Sequence, residues 1–256
     1  MSIKIIMLTG GGESSAFMFN GLKDTTPISK VVVEGKGNKK KFLKRRVKRL
    51  GYVKVFGQIL FQLSVPKILN RFSKNRTEEI KSQYNLDSSA IPSDKIINVP
   101  SVNSKECIAF LQKENPDLII VNGTRIISKK VLNCIDTTFV NTHVGITPKY
   151  RGVHGGYWAL ANNDKKNCGV TVHLVDAGID TGGVLFQKTI SPNQNDNFTT
   201  YTYLQIGEGI QLMKLAVDDF RKNKLREIES MTSKSMIWSH PTLWYYLYTR
   251  FSKGVK

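Results

Sequence analysis

FVNTHVGITPKYRGVHGGYWALANNDKKNCGVTVHLVDAGIDTGG, residues 139–183, is the stretch whose reading decides the fold and the chemistry. Its apolar opening, ending at Phe139-Val140, reads as a strand that delivers Asn141, Thr142 and His143. A loop rich in Pro and Gly follows, from Ile146 to Gly152. The alternating run Cys168–Val175 reads as another strand and empties into Asp176-Ala177-Gly178-Ile179-Asp180-Thr181-Gly182. Polar groups just past the ends of apolar strands are how open α/β sheets build their sites. A histidine two residues from an amide side chain, with an aspartate able to meet them in space, offers a base, an oxyanion donor and an orienting carboxylate.

Outward from this window, strands and helices alternate. Ile3–Leu8 is a continuous apolar run closed by Gly10-Gly11-Gly12, the pattern of a strand buried on both faces. Glu13-Ser14-Ser15 offers caps for a helix through Phe17–Leu22, and Lys30–Glu34 reads as a second strand. Ile96–Val99, Pro116–Val121 (ending at Asn122-Gly123) and Val184–Ile190 read as further strands. Ser104–Lys113, a short segment capped by Ser128, and Thr199–Lys222 read as helices. This order predicts an α/β fold with a doubly wound, mostly parallel twisted sheet and helices on both faces. The turn Gly10, Gly11, Gly12 with Ser14 is also a place for an anion, because unpaired N–H groups at a helix start point there. The alternative is a tight turn that needs glycine and binds nothing.

The chain of 256 residues, 40% hydrophobic, accommodates one domain of roughly 200 residues with extensions. Three cysteines with no C-x-x-C pair indicate neither a disulfide framework nor a zinc ribbon, and no metal is expected. His154 and His173 read as loop and strand residues, since no zinc-type ligand spacing surrounds them. The first apolar run is too short for a secretion signal, and no window approaches the ~18 apolar residues of a spanning helix. A cytoplasmic location is therefore expected.

Charge is the unusual feature: 38 Lys and Arg against 20 Asp and Glu give +18. Residues 36–76 hold fourteen Lys or Arg and no acid. Their apolar members (Phe42, Leu43, Val47, Leu50, then Val53, Phe56, Ile59, Leu60 and Leu63) recur at helical spacing up to Pro66. A basic helical insertion over about 36–85 follows. It suits an anionic membrane surface, with nucleic acid a second possibility. The alternative is a solvated helical layer over one sheet edge. Residues 223–256 form a short extension carrying Trp238, Trp244, Tyr245, Tyr246, Tyr248 and Phe251.

Three motifs in order carry a resemblance: Asn141-x-His143; Pro148-x-Tyr150-Arg151-Gly152; and Gly169-Val170-Thr171-Val172-His173-x-x-Asp176-x-Gly178-x-Asp180-Thr181-Gly182. Together they resemble the folate-dependent formyltransferases, which include glycinamide ribonucleotide, methionyl-tRNA and nucleotide-sugar N-formyltransferases. The likeness covers 115–190 well and 1–222 loosely. It implies a formyltransferase catalytic domain over 1–222 that contains the insertion. It also implies a catalytic trio of Asn141, His143 and Asp180, with 10-formyltetrahydrofolate as formyl donor. Asn122, Gly123, Pro148, Gly152 and Asp176 would lie beside that donor, Asp176 mainly shaping the turn before Asp180. The substrate phosphate would sit at Gly10, Gly11, Gly12 and Ser14. The chain departs from the family pattern at Val144-Gly145-Ile146-Thr147-Pro148, where Ser-Leu-Leu-Pro is usual.

The resemblance implies an acceptor amine on a phosphorylated or nucleotide-linked small molecule, foremost an amino sugar. The last thirty-odd residues are too few for the extra barrel of methionyl-tRNA formyltransferases, which weighs against a tRNA acceptor. Glycinamide ribonucleotide or aminoacyl-tRNA is the alternative acceptor. A formyltransferase-like core that only binds RNA or an anionic membrane is the alternative class. A homo-oligomer is compatible with all of these.

Overall fold

The strands β1 (Ile5–Thr9), β2 (Ile28–Glu34), β3 (Ile96–Val99), β4 (Leu118–Asn122) and β5 (Thr138–His143) run parallel in the order β3-β2-β1-β4-β5. This is a computed structural model and it describes residues 3–256. The two-residue β6 (Arg151–Gly152) stands apart from this sheet, whereas β7 (Gly169–Leu174) joins it antiparallel to β5, and β8 (Val184–Thr189) pairs antiparallel with β7. The sheet thus has seven strands and is mostly parallel, as the alternation of elements predicts.

Alternate residues of β1 face opposite layers, because successive side chains on a strand point to opposite faces. Ile5 and Met7 pack with Phe17 and Met18 of α1 (Glu13–Leu22) and with Ile210 and Met213 of α8 (Thr200–Arg221). Ile6 and Leu8 pack with Cys107 and Leu111 of α5 (Lys105–Glu114) and Val131 of α6 (Lys129–Leu132). Both faces are covered, so the fold is doubly wound. The chain leaves β1 toward β2 on one side and reaches β4 on the other, so the strand order reverses between β1 and β4. Open α/β sheets place ligands at such a switch point.

The insertion is three helices: α2 (Lys39–Leu50), α3 (Tyr52–Phe72) and α4 (Lys74–Tyr84). They do not lie over a sheet edge. Phe61, Val65 and Leu69 of α3 and Ile80 of α4 join a second core with Tyr157 of α7 (Gly155–Ala161), Phe198 and Tyr201 of the α8 region, and Tyr246 of α9 (Leu243–Lys253). That core is aromatic, with Phe61 edge-on to Phe198 at 4.8 Å between ring centres. It also explains why α3 does not stop at Pro66. Proline removes one helical N–H, but burial of Val65 and Leu69 on either side carries the helix on to Phe72.

Other boundaries shift for physical reasons. α1 starts at Glu13, and no side chain caps it, because its N-cap residue is Gly12; the Ser15 hydroxyl, inside the helix, bonds Thr9 Oγ1. Ser104 does cap α5, accepting from the Cys107 amide at 3.3 Å, whereas Ser128 makes no side-chain cap for α6. The run Gly169–Leu174 alternates in sequence, yet its first five residues are all buried, since α8 covers one face and the strand is internal to the sheet. Asn141 and His143 are not past the end of their strand. They are paired residues of β5, which runs on to His143 through its ladder with β7.

Candidate active site

Antiparallel pairing of β5 with β7 sets Asn141 directly opposite His173 and His143 opposite Thr171. Directly opposed residues on one face are close enough to interact. Here Asn141 Nδ2 lies 3.1 Å from His173 Nε2. His173 Nδ1 is 2.6 Å from the Leu174 carbonyl, which can only accept, so Nδ1 carries the ring hydrogen. Nε2 therefore accepts from the Asn141 amide. That bond fixes which end of the amide faces inward and uses one of its two N–H groups, leaving the other for a ligand. Burial, followed by the neighbouring His143, holds His173 below the ordinary imidazole range. With Nε2 engaged by the Asn141 amide, its 3.8 Å approach to Asp180 is too long for a hydrogen bond.

His143 is buried, and its Nε2 lies 2.7 Å from the Tyr150 carbonyl. The same logic puts the hydrogen on Nε2 and leaves Nδ1 as the basic nitrogen. Nδ1 faces Asp180 Oδ2 at 3.4 Å. A carboxylate there stabilises Nδ1 once it is protonated. The ring is thus held between the Tyr150 carbonyl at Nε2 and Asp180 at Nδ1. Asp180 itself has a left-handed backbone (φ 50) and accepts from the Gly152 amide at 2.9 Å.

Asp176 shapes the approach to Asp180 as expected, accepting from the Gly178 amide at 3.0 Å and from Thr181 Oγ1 at 2.7 Å. Pro148 and Gly152 lie in the loop after β5, where residues 230–238 hold them. Ser230 Oγ donates to the Thr147 carbonyl at 2.6 Å, and the Met236 amide donates to that of Pro148 at 3.1 Å. β6 pairs with β9 (Ile237–Trp238), and the Trp238 indole donates to the Lys149 carbonyl at 2.9 Å. A Cβ on Gly152 (φ 94) would lie 2.3 Å from the Trp238 carbonyl, so glycine is required there. The tail after residue 222 is therefore part of the site's frame.

The glycine turn sits two strands away, at the end of β1. Gly11 and Gly12 have positive φ, and a Cβ on Gly10 would meet the Gly123 carbonyl at 2.4 Å. Asn122 and Gly123 thus border the glycine turn, while Asn141 and His143 end the next strand. The first amides bonded within α1 are those of Ser15 and Ala16, to the Gly12 carbonyl, so the Glu13 and Ser14 amides lie outside that bonding. The Glu13 carboxylate is drawn aside by Lys81 at 2.8 Å and the Tyr203 hydroxyl at 2.8 Å.

Among the described residues, four buried side-chain atoms have no hydrogen-bond partner: Asn122 Nδ2, Thr142 Oγ1, Thr147 Oγ1 and Arg151 Nε. Asn122, Thr147 and Arg151 stand at the end of β4 or in the loop after β5, whereas Thr142 points to the other face of β5, against Gly209 of α8. Buried polar groups are otherwise nearly always paired, so the clustering of the first three marks a place where a ligand supplies partners. Sequence reasoning missed His173, the Tyr150 carbonyl and the 230–238 clamp. The register that opposes His173 to Asn141 would have found the first, but register needs the strand pairing.

A sequence model of the Formyl transferase family matches residues 29–208, more than half of the chain. The chain belongs to the formyl transferase family. Methionyl-tRNA formyltransferase of Thermodesulfovibrio yellowstonii is 37% identical over 116 residues, 45% of this chain and 37% of that protein. The Finegoldia magna enzyme of that name is 29% identical over 154 residues, 60% of this chain and 47% of its own. The chain thus spans less than half the length of these relatives. Among solved structures, a sugar N-formyltransferase from a Shewanella species superposes with a TM-score of 0.59 at 14% identity, covering 93% of this chain and 77% of that one. Glycinamide ribonucleotide transformylase 1 from Symbiobacterium toebii gives 0.58 at 18% identity, covering 89% and 91%. At these identities, the two structures establish the family fold.

Proposed function

We propose that the chain transfers a formyl group from 10-formyltetrahydrofolate to a primary amine on a phosphorylated or nucleotide-linked small molecule, foremost an amino sugar. The observation that carries this reading is the union of Asn141, His143 and Asp180 at the ends of β5 and the β7–β8 loop, each with its polar atoms directed.

The acceptor nitrogen attacks the formyl carbon and a tetrahedral oxyanion forms. The spare N–H of Asn141 donates to that oxygen. The amine loses a proton to His143 Nδ1, and Asp180 stabilises the imidazolium. Collapse breaks the bond to the folate nitrogen, which takes up one proton, giving the formamide and tetrahydrofolate. The unpartnered Asn122, Thr147 and Arg151 atoms support a polar co-substrate in this region.

The start of α1 suits a phosphate, since Gly11 and Gly12 allow close backbone approach and the local carboxylate is tied aside. The folds of a sugar N-formyltransferase and of a glycinamide ribonucleotide transformylase match this chain about equally, and the helix start favours a phosphorylated or nucleotide-linked acceptor of that kind. The sequence likeness to methionyl-tRNA formyltransferases favours a second acceptor, an aminoacyl-tRNA. The purified chain, 10-formyltetrahydrofolate and a panel of amines test both. Formylation of nucleotide-linked amino sugars is expected; formylation of aminoacyl-tRNA alone would install the second reading, and no transfer to any amine would end both.

A further inference from the structure

α9 exposes Trp244, Leu247, Tyr248 and Phe251, which recur at i, i+3, i+4 and i+7 and so form one stripe. Phe251 is 81% exposed. α3 lies against α9 so closely that a Cβ on Gly57 would overlap the Trp244 ring. α3 is apolar on two sides. Val55, Phe61, Val65 and Leu69 face inward, while Tyr52 (82% exposed), Val53 (74%), Phe56 and Phe72 (81%) face out. A soluble helix normally turns one apolar stripe to its core and polar residues to water. Contiguous apolar surface rimmed by polar groups marks an interaction site. A cleft of about 740 Å³ opens where the two helices meet, lined by Leu50, Tyr52, Val53, Lys54, Trp244 and Tyr245 among others.

The rim is entirely cationic. α2, alongside α3, carries eight Lys or Arg in twelve residues and buries none of them. Arg46 ties the helix down by donating to Gln58 Oε1 at 2.7 Å, and Gln58 Nε2 donates to the His240 carbonyl at 2.6 Å. Residues 36–76 and 230–256 together hold eighteen Lys or Arg and no acid, while the rest of the chain balances twenty against twenty. The whole formal charge of +18 therefore lies in the segments that form this face and the tail beneath it.

We propose that the outer face of α2, α3 and α9 docks on an anionic lipid bilayer, its apolar side chains at the headgroup boundary and its cations on the lipid phosphates. Apolar residues interleaved with Lys and Arg match both parts of such a surface. RNA would satisfy the charge and stack bases on the aromatic rings, but would leave the aliphatic Val53, Leu63 and Leu247 in water. A second copy would set one cationic face against another. Among the described residues no helix is long and apolar enough to cross a membrane, so the contact is peripheral. It is independent of formyl transfer.

Sedimentation of the full chain with vesicles tests it, comparing phosphatidylcholine alone with phosphatidylcholine plus phosphatidylglycerol. Binding is expected only to the anionic vesicles, with a blue shift of tryptophan emission that is reduced in Trp244→Phe, and with release by salt. Two variants probe the two components. Lys39, Lys40, Lys41, Lys44 and Arg45 all changed to Gln, or Leu247→Ser with Phe251→Ser, should each weaken binding by about tenfold or more. All these residues are exposed or partly exposed, and circular dichroism confirms folding. Equal binding to both vesicles, no binding, or loss with neither variant overturns the proposal. So does a salt-stable dimer that buries this face, or an RNA complex formed where vesicles are ignored.

Discussion

Around Asn141 the polar groups hold one another, whereas on the face of α2, α3 and α9 the cations have no acid within their own segments. Asn141 is set by His173, His173 by the Leu174 carbonyl, His143 by the Tyr150 carbonyl, and Asp180 by the Gly152 amide. The chain supplies nearly every partner, and most of the few buried atoms it leaves open cluster there. On the other face, seven of the eight cations of α2, all but Arg46, and the stripe on α9 point outward. The difference separates two kinds of incompleteness. The site turns a few directed atoms toward a small volume, whereas the face spreads charge and apolar side chains over an extended surface.

Breaking the directed side should give the largest effect. Asp180→Asn keeps the Gly152 contact but removes the charge that stabilises protonated His143, and kcat should fall by ~10²–10⁴ with the fold intact. Steady-state kinetics with circular dichroism check this; a folded variant turning over at the wild-type rate would remove Asp180 from the mechanism.

The chain's four histidines fall into two pairs, and the second lies between the regions compared. His154 Nε2 is 2.9 Å from His240 Nδ1, next to the clamp that joins the insertion to the loop after β5. Burial and then His240 push His154 down to about 3, and burial and then Arg46 push His240 down to about 4, both from 6.5. The native state therefore binds fewer protons than the unfolded chain between these values. Stability is complete above pH 6.5 and falls as pH drops toward 4, by about 1.4 kcal/mol per pH unit for each histidine. Urea midpoints at pH 7 and 5 should differ accordingly, and His240→Gln should flatten the slope. An unchanged midpoint would show that the pair does not stay neutral.

His173→Ala should cost less, about tenfold in kcat, because it frees the Asn141 amide without removing it. His173→Gln, which can still accept, should recover part of that loss; an unchanged kcat in the alanine variant would make His173 a packing residue. Smaller still is Gly11→Val at the end of β1. It should raise the acceptor KM by about threefold and leave the folate KM unchanged, since valine is strained at φ 80 and shifts the turn that leads into the helix start. Equal effects on both would move the phosphate elsewhere.

Much of this was legible in the chain itself. Short apolar runs such as Ile119–Val121 and Val31–Val33 admit one reading when glycines and caps alternate with them, so the doubly wound sheet follows. Asn141, His143 and Asp180 were legible because three motifs occur in order. What escaped depends on contacts between distant segments. That the Tyr150 carbonyl also holds His143 is a backbone matter with no side-chain signature. The run of α3 through Pro66 reflects burial against an aromatic core assembled from α7, α8 and α9. The apolar outer face of α3 was hidden because its residues recur on both sides of the helix.

The decisive experiment compares formyl transfer with and without the His143 imidazole. Wild type and His143→Asn would be given labelled 10-formyltetrahydrofolate and the best acceptor amine, with label in the formamide measured against time. The account predicts steady transfer by the wild type and a loss of ~10²–10⁴ in the folded variant. Label reaching the amine at the same rate in both would contradict it.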